Sequence, residues 1–148
     1  MTNITTIFSR FLQKLSDYKF IVDAKDADSV AYVEEIMSDY LTTARARFVQ
    51  CSKDLTVTNL ADGKFINAQL SDLEIEILSL LMLVEYFKQI MIRNETLEQA
   101  VGDADFAIYS QANHINQLKD MYKELKREVN TEIGRYTYIG TVYGKTKS

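Results

Sequence analysis

The chain has 148 residues, a formal net charge of −4 and no proline, whereas average usage is about 5%. It contains five glycines and a single cysteine. So few turn residues disfavour an all-β sandwich or barrel, and one cysteine excludes an intrachain disulfide framework. With 47% apolar and 26% charged residues, the composition favours a bundle of long helices in a reducing compartment. We expect one helical-bundle domain over residues 1–133 and a separate C-terminal arm over residues 134–148.

Two helices are predicted in the first third of the chain. Apolar residues recur at spacings of three and four between Ile4 and Leu15, which is the pattern of one helix face. We place this helix at about residues 5–21. The Asp26–Ser29 cluster supplies capping oxygens and negative charge for the start of a second helix. This second helix is predicted over about residues 28–50.

Residues 55–67 interrupt the helical pattern. Two β-prone runs flank Asp62-Gly63, which is a strong signal for a tight hairpin turn. A small β-hairpin is predicted here, with an ordered surface loop as the alternative. Because an isolated two-stranded hairpin is marginal in water, it must pack on the helices or on a partner. Phe65 is therefore a candidate subunit contact.

A third helix is predicted over residues 71–101, beginning at a capping box formed by Ser71 and Glu74. From Ile75 to Ile92 it is apolar on nearly every side, with only three charged residues in that stretch. A membrane span is disfavoured because each central charge costs about 2.5 to 3.5 kcal/mol. We expect a central helix, buried either by this chain alone or partly by neighbouring subunits.

A fourth helix is predicted over residues 103–133, where Asp103 and Asp105 meet the positive end of the helix dipole. One exposed face carries acidic residues every four positions, beside Lys119, Lys123 and Arg127 at the same interval: Asp120, Glu124, Glu128 and Glu132. This face is either an ordinary solvated surface or an acidic wall that repels phosphates. Upstream, polar side chains that donate and accept hydrogen bonds suit contacts with another subunit, or an ordinary exposed face: Gln111, Asn113, His114 and Asn116.

The last fifteen residues differ from the rest of the chain. They contain three basic residues and no acidic one, and they alternate aromatic or β-branched residues with threonine. This pattern predicts an extended arm that presents aromatic anchors to a partner, with a disordered terminus as the alternative. The candidate partner-binding residues are Arg135, Tyr136, Tyr138, Tyr143, Lys145 and Lys147.

Signatures of catalysis are absent from the sequence. It has no phosphate-binding glycine loop, no Gly-x-Ser-x-Gly elbow and no CxxC pair, and its one histidine lacks partner ligands in the sequence. Four glutamates suit Mg²⁺ in the manner of all-helical nucleotide pyrophosphohydrolases: Glu34, Glu35, Glu95 and Glu98. The second acidic motif of that family is missing. We expect no enzymatic activity, no metal and no cofactor, and keep the pyrophosphohydrolase as a remote alternative.

Five segments between about Phe65 and Tyr138 together resemble the head-tail connector, or adaptor, family of tailed bacteriophages. They are Leu70 to Leu78, Glu85 to Lys88, Gly102 to Phe106, Ser110 to His114 and Arg135 to Tyr138. The resemblance implies a helical bundle that assembles into a ring, usually of twelve subunits, beneath the portal protein. The ring extends the DNA channel towards a downstream neck or tail protein, and each C-terminal arm reaches the portal or a neighbouring subunit.

This resemblance also implies a location and a set of partners. The protein would be made in the host cytoplasm and become part of the virion neck, without contacting a membrane. DNA would pass through the ring without specific binding, past a lumen that the acidic residues of the fourth helix would face. The alternative is another phage morphogenesis factor, either a stopper or a tail-assembly chaperone.

Overall fold

A computed structural model describes residues 1–16, 27–100 and 105–146 of the chain, with side chains over 1–15, 34–92 and 116–140. The helices are α1 (Ile4–Ser16), α2 (Ala27–Arg47), α3 (Asp72–Ala100) and α4 (Asp105–Thr146). The strands are β1 (Thr2–Asn3), β2 (Val57–Leu60) and β3 (Gly63–Ile66). The prediction of a bundle of four helices with a small β element is therefore confirmed.

Helix α3 lies at the centre of the bundle, and α1, α2 and α4 each pack against it. Its buried residues occupy every side of the helix: Ile75, Ile77, Leu78, Leu80, Leu81, Met82, Leu83, Val84 and Phe87. On one side, the rings of Phe11, Tyr40 and Tyr86 meet edge to face with centroids 6.1 to 6.2 Å apart. Helices of the same chain thus account for the burial of α3 as far as Phe87, without a neighbouring subunit.

The predicted hairpin forms, and it gains a third strand. The antiparallel sheet has the order β1-β3-β2, and the hairpin closes at the pair Leu60 and Gly63. The connecting residues are therefore Ala61 and Asp62, one position earlier than the Asp62-Gly63 signal suggested. Gly63 has φ +137°, a conformation that residues with a Cβ rarely adopt.

Strand β1 was not predicted, because two residues are too short to show a periodicity. Thr2 lies opposite Ile66. Its hydroxyl donates to the carbonyl of Ala68 at 2.9 Å and accepts from the amide of Leu70 at 2.8 Å. Ile66 is fully buried, so the sheet is fastened to the helical core close to the start of α3.

Most helix boundaries differ from the predicted ones by one to three residues. Helix α1 begins at Ile4, α2 spans Ala27–Arg47, α3 spans Asp72–Ala100 and α4 begins at Asp105. The predicted end of the first helix, near residue 21, lies outside the described residues, as do residues 101–104.

The prediction of an extended C-terminal arm is wrong for residues 134–146, which continue α4 as one helix of 42 residues. Local β propensity was outweighed by two effects. No proline interrupts the helix, so each residue added to it gains one backbone hydrogen bond without the cost of starting a new helix. In addition, the apolar stripe of Leu125, Val129 and Ile133 continues at helical spacing to Tyr136, which packs against the core. The boundary proposed at residue 133 therefore falls inside a continuous helix.

Candidate docking surface along the last helix

A buried carboxylate fixes α4 to the start of α3. Glu74 is only 1% exposed. Its Oε1 accepts hydrogen bonds from Lys53 Nζ at 2.6 Å and from the amide of Ser71 at 2.8 Å. Its Oε2 accepts one from the hydroxyl of Tyr136 at 3.0 Å. The amide of Glu74 donates to Ser71 Oγ at 3.3 Å, so the predicted capping box forms and also binds α4.

Two further residues complete this cluster, which we call the Glu74 cluster: Glu74, Lys53, Cys51, Tyr136 and Phe48. The Cys51 thiol donates to Glu74 Oε2 at 3.5 Å and lies 3.8 Å from the Tyr136 hydroxyl. The ring of Phe48 packs edge-on against that of Tyr136, with centroids 5.2 Å apart. The segment after α2, the start of α3 and the distal part of α4 are thus joined at one point.

The cluster keeps Glu74 ionised and Tyr136 neutral. Burial alone would raise the pKa of Glu74, but hydrogen bonds from Lys53, Ser71 and Tyr136 hold the pKa below its usual value. Burial, together with hydrogen bonds to Cys51 and Glu74, raises the pKa of Tyr136 well above its usual range. Burial also raises the pKa of the Cys51 thiol, so the thiolate is disfavoured at neutral pH.

Tyr136 is therefore half-buried and attached to the bundle, and its role as a partner-binding residue stays a prediction. Its hydroxyl reaches the first turn of α3, so the residues that follow it extend beyond the start of that helix. Tyr138 is 70% exposed, and the side chain of Arg135 is 65% exposed. The side chains of Tyr143 and Lys145, and the whole of Lys147, lie outside the described residues. We use the term distal segment for residues 137–146 of α4.

The acidic residues of α4 lie mostly on its solvent side. Asp120, Glu124 and Glu128 are exposed, and Glu132 is half-buried, with Oε2 3.8 Å from Nη1 of Arg135. On the opposite side, Leu118, Leu125 and Val129 are buried against the bundle. We call this surface the acidic face of α4, although Lys119, Lys123 and Arg127 are also exposed beside its carboxylates, and it is available to solvent in the single chain.

The candidate subunit contacts fall in two different parts of the fold. Phe65 is half-buried in β3, whereas Asn116 is exposed on α4. Gln111, Asn113 and His114 also belong to α4, but their side chains lie outside the described residues. The structure thus places four of the five on one helix and does not bring Phe65 to them.

The four glutamates considered for Mg²⁺ also belong to two different parts of the chain. Glu34 and Glu35 are exposed on α2, beside a groove of about 470 Å³; the side chains of Glu95 and Glu98 lie outside the described residues. Within the described part of the chain, no three His, Cys, Asp or Glu side chains come close enough to hold a metal ion. Over the same residues, no helix combines the length and apolarity needed to cross a bilayer.

The Glu74 cluster was largely missed by sequence reasoning. The capping box identified Glu74 as a local partner of Ser71, but Tyr136 is separated from it by 62 residues. Helix α1 is linked to α3 by another unpredicted group, in which Arg10 Nη1 contacts Glu76 Oε2 at 2.9 Å and Lys14 contacts Glu76 Oε1. The signal available for both was a carboxylate beside or within an otherwise apolar stretch, because such a carboxylate needs a cation or a hydrogen-bond donor when it is buried.

No family model, curated protein or solved structure matches this chain at a significant level.

Proposed function

We propose that this protein is a structural component of a tailed-phage neck, a head-tail connector that forms a ring beneath the portal and extends the DNA channel. The observation that carries this proposal is the form of α4. It is one continuous helix from Asp105 to Thr146, firmly attached at Tyr136 and projecting past the start of α3. A connector needs an element that reaches from its own bundle to the next component, and α4 extends past its bundle in this way.

The chemistry of the distal segment agrees with a docking role. Tyr138 is among the most exposed large hydrophobic side chains of the described residues, and aromatic residues and arginine are enriched at protein interfaces. Lys145 within this segment, and Arg135 and Lys147 on either side of it, add positive charge, with no acidic residue between positions 134 and 148. An acidic or apolar surface on a neighbouring molecule would complement this segment.

The acidic face of α4 supplies a second argument. DNA carries one negative charge for about every 1.7 Å of helix axis, and protein cations are what hold it. The carboxylates of Asp120, Glu124 and Glu128 repel the backbone and offset the exposed Lys119, Lys123 and Arg127 beside them, so a lumen with this surface would not hold DNA. Because these carboxylates are exposed in the single chain, they need no rearrangement to face a channel.

Direct assembly tests the proposal. The purified protein is mixed with the portal protein encoded in the same genome, and the complex is imaged by electron microscopy. We expect a ring bound coaxially to the portal, and a failure to bind at micromolar concentration would overturn the proposal. Tyr138→Ser should weaken this binding, whereas Val49→Ser, at another highly exposed apolar residue, should not.

The protein should also be present in purified virions. Mass spectrometry of the particle distinguishes a connector or stopper, which remain in the virion, from a tail-assembly chaperone, which does not. Absence of the protein from infectious particles would contradict a connector.

The channel role is tested separately by charge. Replacing Glu124 and Glu128 together by lysine should slow genome release, because phosphates would bind the new cations. Replacing the same two residues by glutamine removes the charge without attracting DNA and serves as the control. If the lysine variant releases its genome like the wild type, the acidic face lies on the outside of the ring.

A further inference from the structure

The small sheet has one edge that carries unused hydrogen-bonding groups. Strand β2 lies at the end of the order β1-β3-β2. Because the hairpin closes at Leu60 and Gly63, Thr58 and Leu60 bond to β3, while the amides and carbonyls of Val57 and Asn59 point outwards. The amide of Asn67 donates a hydrogen bond to the carbonyl of Thr56 at 3.0 Å, which continues this alternation of inward and outward groups along β2. Across the residues described, no further strand covers this outer edge of β2.

An exposed edge of this type binds an added strand. Natural proteins protect such edges by covering, charging or bulging them, and a strand added from another chain gains main-chain hydrogen bonds. Asn59 and Leu60 are exposed, and Leu60 is 47% exposed despite its apolar side chain. The edge is therefore accessible at its end nearest the turn.

The same chain contains a segment whose residues favour a strand although it is helical. Tyr138, Ile139, Thr141, Val142 and Tyr143 are aromatic or β-branched, and glycines stand at 140 and 144. Such residues rank low in helix propensity and high in strand propensity. The distal segment also extends past α3, so α3 does not offset this preference along its length. Its helical conformation is consequently easy to exchange for an extended one.

Charge favours the same pairing. A groove beside the hairpin is lined by Glu34, Glu35, Asp39 and Asp62, together with Lys64. The chain after residue 143 carries Lys145 and Lys147 and no acidic residue. A strand formed by residues 138–143 and running parallel to β2 would bring these lysines towards the acidic groove, because β2 runs towards the turn that contains Asp62.

We propose that the outer edge of β2 binds residues 138–143 of a second copy of this chain as an added β-strand. In the single chain the segment remains helical and the edge remains open, so the strand is supplied by a neighbour. Each copy then offers an edge to one neighbour and a segment to the other, a head-to-tail contact that builds rings or filaments. The contact requires no portal, and it stands or falls independently of the neck assignment.

Disulfide trapping in the full-length chain tests this contact. A variant with Asn59→Cys is mixed with a second variant carrying Thr141→Cys, the mixture is mildly oxidised, and dimers are measured on a non-reducing gel. The matched control replaces Asn59→Cys by Val49→Cys, an exposed position outside the strands; Cys51 is present in both mixtures. We expect several-fold more dimer from the Asn59 mixture, rising with protein concentration. Equal yields would overturn the proposal.

Two variants and one control substitution test how the strand is exchanged. Asn59→Pro removes an outward amide, a change that edge strands tolerate, and should abolish self-association measured by sedimentation. Gly140→Ala leaves the sheet untouched and meets no atom within 4 Å, so it should strengthen the helix and lower trapping by about fivefold. Gly134→Ala, equally unobstructed but outside the exchanging residues, should leave trapping unchanged. If Gly140→Ala has no effect, the segment docks as a helix. If a single chain that carries both Asn59→Cys and Thr141→Cys forms the disulfide as a monomer, the pairing is intramolecular. Either result overturns the proposal.

Discussion

Replacing Tyr136 by phenylalanine separates the two interactions that attach α4 to the start of α3. The aromatic contact with Phe48, at a centroid distance of 5.2 Å, remains. The hydrogen bond to Glu74, 3.0 Å long, is lost. Hydrogen bonds to charged groups contribute about 1.5 to 3 kcal/mol. Because Lys53 and Ser71 still bind the carboxylate, we expect the lower end of that range.

The free energy of unfolding should therefore fall by about 1.5 kcal/mol, and the melting temperature by roughly 3 to 6 °C for a chain of this size. Urea titration followed by circular dichroism measures the first quantity, and a thermal scan measures the second. Tyr138→Phe is the control, because Tyr138 is 70% exposed and surface substitutions usually change stability by less than about 0.5 kcal/mol.

The alkaline limb of the stability profile provides an independent check. The pKa of Tyr136 is raised in the folded chain above its ordinary value of 10.0. The contribution of Tyr136 to the free energy of unfolding is therefore complete below pH 10. It is lost as the pH rises further, because the tyrosine hydroxyl ionises at a lower pH in the unfolded chain than in the folded one. The wild type should lose stability above pH 10 more steeply than Tyr136→Phe. A destabilisation below about 0.5 kcal/mol, combined with equal alkaline slopes, would refute the hydrogen bond to Glu74.

Three other predictions concern the fold. Gly63→Ala should cost about 1 to 3 kcal/mol because of its positive φ, whereas Gly134→Ala, with open space around a new Cβ, should stabilise α4 by up to about 1 kcal/mol; equal shifts in urea midpoint would contradict both. The pKa of Glu74 is lowered from 4.5, so the stability that its ionised form contributes is present above pH 4.5 and is lost as the pH falls. In urea titrations between pH 3 and 7, the free energy of unfolding should therefore fall less steeply towards acid pH for Glu74→Gln than for the wild type. Parallel profiles would exclude a stabilising role for the Glu74 carboxylate. Deleting residues 137–148 should change the melting temperature little, whereas deleting Tyr136 as well should cost about 2 kcal/mol; an equal loss in both would show that the distal segment belongs to the core.

Patterns carried by neighbouring residues predicted most of the fold. The capping box at Ser71 and Glu74 placed the start of α3 within one residue, because both partners lie within one helical turn. The apolar run after Ile75 correctly indicated a central helix, since three packed helices leave it no solvent-facing side there. The hairpin was found because a tight turn needs particular residues within a few positions of one another.

What the sequence did not reveal depended on contacts between distant residues. Strand β1 exists because Thr2 and Asn3 pair with β3, and two residues carry no pattern of their own. The burial of Glu74 required Lys53 and Tyr136 to meet it from opposite directions along the chain. A local pattern can show that a carboxylate is unusual among apolar neighbours, but it cannot identify the cation and hydroxyl that compensate for its burial.

The distal segment is where local propensity and observed conformation disagree most. Natural sequences are usually consistent across these levels, and departures concentrate at functional sites. Upstream of Tyr136 the helix is supported by the buried residues Leu118, Leu125 and Val129. Downstream it gains no comparable support, yet it retains the exposed ring of Tyr138 and two glycines that weaken a helix. Residues that stabilise neither the bundle nor their own helix are best explained by a contact outside the chain, and for that reason the distal segment, rather than any cavity in the bundle, is the first place to seek a partner.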